Sequence, residues 1–396
     1  MRICFVSHST GRHGAEQALL ELLEGLIKLG VSCLVIVPKK GPLLIELNRR
    51  NIEWKIMGYS KFRITGYPRW LSKPRPAPYR FARTIIGLLR SIQLARMILK
   101  WNCDVVYTNT SSISVGALAA WFARKPHVWH LHESGTHMGL KYDFGERNTV
   151  RLINHFSEII IVVSSSLKKT YSRHIEPNKI RLIYQSVTVN HKTQKMHNLN
   201  SEKQFFQCVI IASLHPYKGQ DEAIAALSEL SRRGIKARLL IIGEGWSSFQ
   251  AKLQQQIENF GLEQHIELVG YIKNPTHYIQ AADAVLVCSH WESFGRVTVE
   301  AMLAGKPIIG SANGATTELI QNGVTGLLYD SGKNNMLADK IQYLHENPEE
   351  SLKLGAAARI WATDRFTQER YAKEIFDLLR KILKKKNSQH SAACNQ

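Results

Sequence analysis

At 396 residues the chain is long enough for two domains of ordinary size, and 44% hydrophobic with 21% charged residues is the balance of a folded globular protein. No apolar stretch reaches the roughly 18 residues needed to span a bilayer. The segment from Met1 to Val6 runs straight into a strand pattern without a signal-peptide layout, so a cytoplasmic protein is expected. The six cysteines are scattered without close pairs, in or beside apolar runs. They read as small buried hydrophobes in a reducing compartment, not as disulfides or zinc ligands. The formal net charge of +20 is the anomaly. It calls for an anionic partner: nucleic acid, anionic lipid or a phosphorylated substrate.

In chain order, a strand from Ile3 to Ser7 is followed by a loop containing Gly11 and Gly14, then an amphipathic helix from about Ala15 to Leu29. A glycine-bearing loop between strand and helix is a Rossmann-like opening, although these two glycines do not complete the dinucleotide fingerprint. A second strand over Val31–Val37 and a helix from Gly41-Pro42 to about Arg50 follow. Between Glu53 and Asp104 there is no acidic residue, yet there are eleven Lys or Arg. The first part of this segment, Lys61 to Tyr79, carries four of the twelve prolines and reads as an extended loop. The second, Tyr79 to Trp101, reads as a basic helix with an apolar face. Such a helix either packs on a sheet or lies at an anionic lipid interface. Nucleic acid is disfavoured: the aromatic residues form no stacking platform and no known module appears.

Further strand and helix patterns follow at Asp104–Tyr107, Ile113–Arg124, Pro126–Leu131, Ile159–Val163, Leu167–His174 and Ile180–Tyr184. The cluster of His127, His130, His132 and His137 invites a metal. His130 and His132 are expected on opposite faces of a strand, and no second carboxylate or cysteine lies close, so no metal site is assigned. Residues 188–203 are polar and aperiodic, as an interdomain linker would be. The second half starts afresh with a strand at Gln207–Ala212, the loop Ser213-Leu-His-Pro-Tyr-Lys-Gly219 and a helix from Gln220 to Arg233. The strand Ala237–Ile242 ends in Gly243-Glu-Gly245, glycines that would admit close approach of a nucleotide to the backbone.

The most informative stretch runs from Ser289 to Gly310, S-H-W-E-S-F-G-R-V-T-V-E-A-M-L-A-G-K-P-I-I-G. The buried-strand run Ala284–Cys288 precedes it, Phe294-Gly295 leads into a helix, and Gly305-Lys-Pro307 leads out to another strand. The amides of Arg296, Val297 and Thr298 would form a helix N-terminus suited to phosphate. A diphosphate there would have Glu300 on one side, within reach of ribose hydroxyls, and Glu292 on the other. This segment resembles the donor-sugar motif of glycosyltransferase family 4, the retaining nucleotide-sugar transferases of GT-B fold.

The resemblance implies an α/β chain of two Rossmann-like domains facing across a cleft, with a C-terminal helix returning to the N-terminal domain. The expected divisions are an acceptor domain over 1–190, a donor domain over 202–365, the returning helix over 366–386 and a disordered polar tail over 387–396. Lys218-Gly219 matches the family's Lys-Gly, where the lysine balances the donor diphosphate. Many members carry an Arg five residues earlier; here it is Ser213, leaving Lys218, with Arg296, to supply the charge. Gly14-Ala15-Glu16 stands in the place of the family's first glycine loop, against donor phosphates or acceptor. His132, with His130 as the rival, matches a histidine near the transferred sugar, and Ile272 a main-chain contact to the base. Gln185 occupies a slot where the family commonly has Asn.

The implied activity is transfer of a sugar from a nucleoside diphosphate to a hydroxyl of a saccharide or lipid-linked acceptor, with Glu292, Lys218 and His132 as catalytic candidates. Gly14, Gly243, Gly245, Ile272, Phe294, Gly295, Arg296, Val297, Thr298 and Glu300 would bind the donor, and no metal or other cofactor is called for. The basic residues within 55–100 would meet an anionic membrane, giving a cytoplasmic protein peripheral to it. Two rivals stay open: an epimerase or phosphorylase on the same fold, and a non-catalytic protein binding anionic membrane or nucleic acid.

Overall fold

The computed structural model describes residues 1–61, 63–64, 76–135, 141–143, 145–189 and 205–394. The chain divides into one unit of Met1–Ser186 with Thr367–Gln396, and a second of Val187–Phe366. Most of the polar stretch read as a linker lies outside the described residues, as do His137, Arg69, Lys73 and Arg75.

The first unit opens with β1 (Arg2–Val6), α1 (Gly14–Lys28), β2 (Ser32–Val37), α2 (Pro42–Arg49), β3 (Glu53–Ile56) and β4 (Arg63–Ile64). It continues through α3 (Ala77–Lys100), β5 (Val105–Thr108), α4 (Val115–Phe122), β6 (His127–Leu131) and β7 (Lys141–Tyr142). The last elements before the second unit are α5 (Glu146–His155), β8 (Ile159–Val162), α6 (Ser165–Tyr171) and β9 (Ile180–Leu182). Seven strands form one parallel sheet in the order β3-β2-β1-β5-β6-β8-β9, while β4 and β7 pair separately and antiparallel. Helices cover both faces of such a sheet, so its strands are apolar almost end to end. All four residues of β5 and of β8 are buried, which is why these runs are legible in the sequence.

The second unit repeats the plan. It contains β10 (Phe206–Ile211), α7 (Gln220–Arg232), β11 (Ala237–Ile242), α8 (Ser247–Asn259), β12 (Ile266–Gly270), α9 (Thr276–Ala281) and β13 (Ala284–Val287). Then come α10 (Arg296–Leu303), β14 (Ile308–Ser311), α11 (Thr316–Leu319), β15 (Leu327–Tyr329), α12 (Asn334–Glu346) and α13 (Pro348–Thr363). Its parallel sheet has the order β12-β11-β10-β13-β14-β15. In both sheets the order reverses beside the first strand, between β1 and β5 and between β10 and β13. Loops at the carboxyl ends of the strands there are where open α/β sheets bind ligands. The β10–β13 pairing covers only Cys208↔Ala284 and Val209↔Val285, whereas β10–β11 pairs along its length, so the second unit's sheet parts early at its switch point.

The chain closes with α14 (Gln368–Cys394), which belongs to the first unit and packs on α1. A side chain on Gly25 would put its Cβ 2.4 Å from that of Ala372, so this mid-helix glycine permits the close approach of the two helices. Lys28 and Glu24 both hydrogen-bond Gln368, at 2.8 and 2.9 Å. Of the stretch 387–396, expected as a disordered tail, residues 387–394 continue α14 as far as Cys394, and 395–396 lie outside the described residues. No Gly or Pro interrupts the chain from Gln368 onward, and Lys and Ala are good helix formers. Four elements went unread, among them the two-residue strands β4 and β7. β3 is an edge strand with mostly exposed side chains, and α5 has a mostly polar sequence.

Candidate active site

In the second unit, the loop leaving β10 makes a tight turn over Pro216–Lys218, capped by His215 Nδ1, which accepts from the Tyr217 amide at 3.2 Å. Gly219, with φ of 64°, then starts α7. The turn presents Lys218 at the carboxyl end of β10. On the other side of the switch point, the loop leaving β13 carries Glu292. Lys218 Nζ donates to Glu292 Oε1 at 2.5 Å, and Ser289 Oγ donates to the same oxygen at 2.6 Å. The lysine and carboxylate side chains remain 25% and 15% exposed, so the pair neutralises itself while still reachable from solvent. The backbone of Glu292 is fixed from a third element: its carbonyl accepts from the Ala315 amide at 2.8 Å, with Gly314 closely packed against it.

Gly295 caps α10 with φ of 93°, and the amides of Arg296, Val297 and Thr298 form the first turn, where helical amides have no intrahelical acceptor. Thr298 is fully buried and its Oγ1 has no hydrogen-bond partner among the described residues. Glu300 lies in the second turn, partly exposed. Ile272, also partly exposed, follows the edge strand β12.

Sequence reasoning missed a second pair beside this one. His290 Nε2 donates to Glu222 Oε1 at 2.6 Å, and Tyr329 OH donates to Glu222 Oε2 at 3.1 Å. The hydrogen bond to Glu222 raises the His290 imidazole above its ordinary value. For Glu222, burial acts upward, but the bond from His290 and other hydrogen bonds outweigh it and hold the carboxyl below its usual range. The His290 amide also donates to the Tyr217 carbonyl at 2.9 Å, so His290 joins the β13 loop to the turn that carries Lys218.

In the first unit, the sequence candidates meet in a neutral network at the carboxyl ends of β5, β6 and β9. Asn109 Nδ2 donates to the Ala15 carbonyl at 3.1 Å, one residue beyond Gly14 at the head of α1. This fixes the amide orientation, so Asn109 Oδ1 accepts from His132 Nε2–H at 2.7 Å. His132 Nδ1 then carries the lone pair and accepts from Gln185 Nε2 at 2.6 Å. The chain of amides selects one tautomer of His132. His130 is fully buried, with Nδ1 2.7 Å from Tyr107 OH. Burial, and then the nearby His132, push its imidazole well below the usual histidine range. Of the two rivals only His132 keeps any exposure. The expectation that the two lie on opposite faces is corrected: their ring centroids are 4.1 Å apart, because residues two apart in extended chain point the same way. Beside them Glu133 Oε1 gathers Thr110 Oγ1, Ser111 Oγ and the Ser111 amide at 2.8, 2.9 and 3.2 Å, organising the polar loop after β5.

Two family models match, Glycosyltransferase Family 4 over residues 12–191 and Glycosyl transferases group 1 over residues 191–361. The chain belongs to glycosyltransferase family 4. It is 24% identical to N-acetyl-alpha-D-glucosaminyl L-malate synthase of Bacillus anthracis, covering 89% of this chain and 98% of that one. It is 25% identical to alpha-monoglucosyldiacylglycerol synthase of Acholeplasma laidlawii, covering 94% and 95%. The structure of Anabaena Alr3699/HepE in complex with UDP and glucose superposes with a TM-score of 0.78 at 25% identity, covering 96% of this chain and 99% of that one. This glycosyltransferase is thus a hexosyltransferase-type enzyme of GT-B fold.

Two of the glycosyltransferase's expected donor contacts have another explanation in the fold. A Cβ at Gly243 would lie 1.9 Å from the Ala212 carbonyl oxygen, and one at Gly245 2.1 Å from that of Leu214. The Leu214 amide donates to the Glu244 carbonyl at 3.0 Å, extending the β10–β11 pairing beyond the strands. What these glycines admit is the protein's own backbone. Phe294, read as a donor contact, is buried and packs edge-on against Phe366 at 5.8 Å, so it anchors the loop that holds Glu292. Ser213 is exposed and its carbonyl accepts from the buried Gln220 Nε2 at 2.9 Å. Among the described residues no group of three or more His, Cys, Asp or Glu is placed to hold a metal ion.

Proposed function

We propose that this glycosyltransferase moves a sugar from a nucleoside-diphosphate sugar to a hydroxyl of a saccharide or lipid-linked acceptor, with retention at the anomeric carbon. The observation that carries the reading is the Lys218–Glu292 pair at the β10–β13 switch point, next to the N-terminus of α10. An incoming diphosphate competes for Lys218, and drawing the lysine away frees Glu292 to accept from sugar hydroxyls. As the diphosphate leaves, Lys218 and the amides of Arg296 to Thr298 stabilise its growing charge. Arg296 adds positive charge against it where Ser213 cannot. Glu300 holds the ribose, and the main chain at Ile272 meets the base. His132 faces the transferred sugar with its tautomer set by Asn109 and Gln185. Because protein cations and helix dipoles carry the leaving-group charge, the scheme runs without a resident metal. No covalent nucleophile is assigned.

The relatives' names support the choice of substrates: HepE was crystallised with UDP and glucose, and the Acholeplasma enzyme is named for a glycolipid product. A cytoplasmic enzyme, peripheral to the membrane, suits such an acceptor, and the buried unpaired thiols of Cys4, Cys33, Cys103, Cys208 and Cys288 fit a reducing compartment. A donor panel of UDP-, GDP- and ADP-sugars, read by calorimetric binding and slow hydrolysis, tests the proposal. One donor class should bind and be hydrolysed by the wild type, and Lys218→Ala and Glu300→Ala should each weaken its binding. Binding that is absent for every donor, or unchanged in both variants, overturns it.

A further inference from the structure

Helix α3 is built of two unlike halves. Its C-terminal half enters the core of the first unit through Ser91, Leu94, Ala95 and Ile98, all buried. Its N-terminal half carries large apolar side chains that stay exposed among the described residues. Phe81 is 69% exposed, Leu89 61%, Ile85 44% and Leu88 43%. Phe81, Ile85, Leu88, Leu89 and the partly exposed Ile92 recur at the spacing of a single helical face. Scattered exposed leucines need no explanation, but a contiguous apolar stripe of this length marks a surface that something covers.

The charges around the stripe say what kind of surface fits. The sequence from 54 to 103 has eleven basic residues and no acidic one. Among the described residues the acceptor atoms of Arg80, Arg83 and Arg90 are neutral. Arg80 donates to the Asp143 carbonyl at 3.1 Å, Arg90 to Gln93 Oε1 at 2.8 Å, and Arg83 to the Lys61 carbonyl while lying over the Tyr79 ring. None of these acceptor atoms is a carboxylate oxygen. A second copy would be a poor occupant, since a two-fold contact sets the same basic patch against itself. No helix among the described residues is long and apolar enough to cross a membrane. An apolar stripe flanked by arginine matches a helix lying in the plane of an anionic lipid surface.

We propose that the N-terminal half of α3 is a membrane-docking surface, inserting Phe81, Ile85, Leu88 and Leu89 among acyl chains while the neighbouring arginines meet anionic headgroups. The surface needs neither donor nor acceptor, so it stands or falls apart from the transferase reading. The test is flotation of the full chain with vesicles of phosphatidylcholine containing phosphatidylglycerol, beside vesicles of phosphatidylcholine alone. The wild type should float with the anionic vesicles, far less with the neutral ones, and less as salt is raised. Phe81→Ser/Leu88→Ser/Leu89→Ser should lower partitioning on the order of 100-fold, with the melting temperature unchanged because the three side chains are exposed. Arg83→Gln/Arg90→Gln should lower it less, and only on anionic vesicles. The proposal is overturned if the wild type stays with the unbound fraction, if the triple variant floats as well as the wild type, or if phosphatidylglycerol makes no difference. Sedimentation showing a dimer that the triple variant dissociates without vesicles would overturn it in favour of self-association.

Discussion

The two switch points are built from opposite kinds of interaction. In the second unit a lysine and a carboxylate meet at 2.5 Å, partly open to solvent. In the first, amides of Asn109 and Gln185 bracket His132 in a chain without formal charge. A charged pair in contact with water has modest net strength and yields to a ligand that offers one partner a better charge. A chain of neutral, largely buried hydrogen bonds gains little from a charged ligand but fixes which ring nitrogen carries the proton. The difference is between a solvent-reachable charged pair in the second unit, the site of the proposed response to a diphosphate, and a hydrogen-bonded chain in the first that holds a geometry.

The comparison breaks most readily at Lys218. Lys218→Ala should cost about 100- to 1,000-fold in kcat/KM, as removal of a group that stabilises a leaving charge does, with the melting temperature nearly unchanged. Steady-state kinetics with the best donor measure it, and a loss under about tenfold would place the diphosphate elsewhere. Next in size is Gly243→Ala. If this glycine serves the protein's own backbone, the variant should be destabilised by about 2–4 kcal/mol in denaturant melts without any ligand. A variant of wild-type stability that loses only donor binding would restore the nucleotide explanation.

Gln185→Leu sharpens the neutral half of the comparison. It removes the donor to His132 Nδ1 and should lower kcat by about tenfold with little change in KM. Nitrogen NMR of labelled histidine should show one His132 tautomer in the wild type and a mixture in the variant. Gln185→Asn should recover part of the activity if its shorter amide still reaches the ring.

The smallest effect concerns His290 and Glu222. The raised imidazole contributes stability that is fully present below the ordinary histidine value and lost as pH rises through its raised value. The lowered carboxyl contributes stability present above its ordinary value and lost as pH falls through the lowered one. Stability from the pair is therefore greatest between those two limits, and the melting temperature should decline on the alkaline side as the imidazole deprotonates. His290→Gln should flatten that limb. Since His290 is 43% exposed, solvent screening keeps the change small.

Much of this was legible before any fold was in view. Parallel strands covered on both faces must be apolar throughout, so β1, β5, β8, β10, β11 and β13 announce themselves as continuous runs. The Ser289–Gly310 stretch is legible because helix start, carboxylates and exit turn are contiguous. Edge strand β3 and polar helix α5 escape the same reading, since exposed faces carry no apolar period. The partners of the site residues escape it for another reason. Glu222 and His290 are 68 positions apart, and His132 and Gln185 are 53 apart, so no local pattern links them.

Sequence alone determined the alternation of strand and helix and the Ser289–Gly310 stretch with Glu292 and Glu300, because these are written in short-range spacing, while the family resemblance singled out Lys218 and His132 as candidates. Tertiary structure alone decided what those residues touch. It joined Lys218 to Glu292, filled the space at Gly243 and Gly245 with the protein's own backbone, selected the tautomer of His132, and left the apolar stripe of α3 exposed among the described residues. Contact and burial depend on segments distant in the chain, and only the folded sheets bring those segments within hydrogen-bonding range.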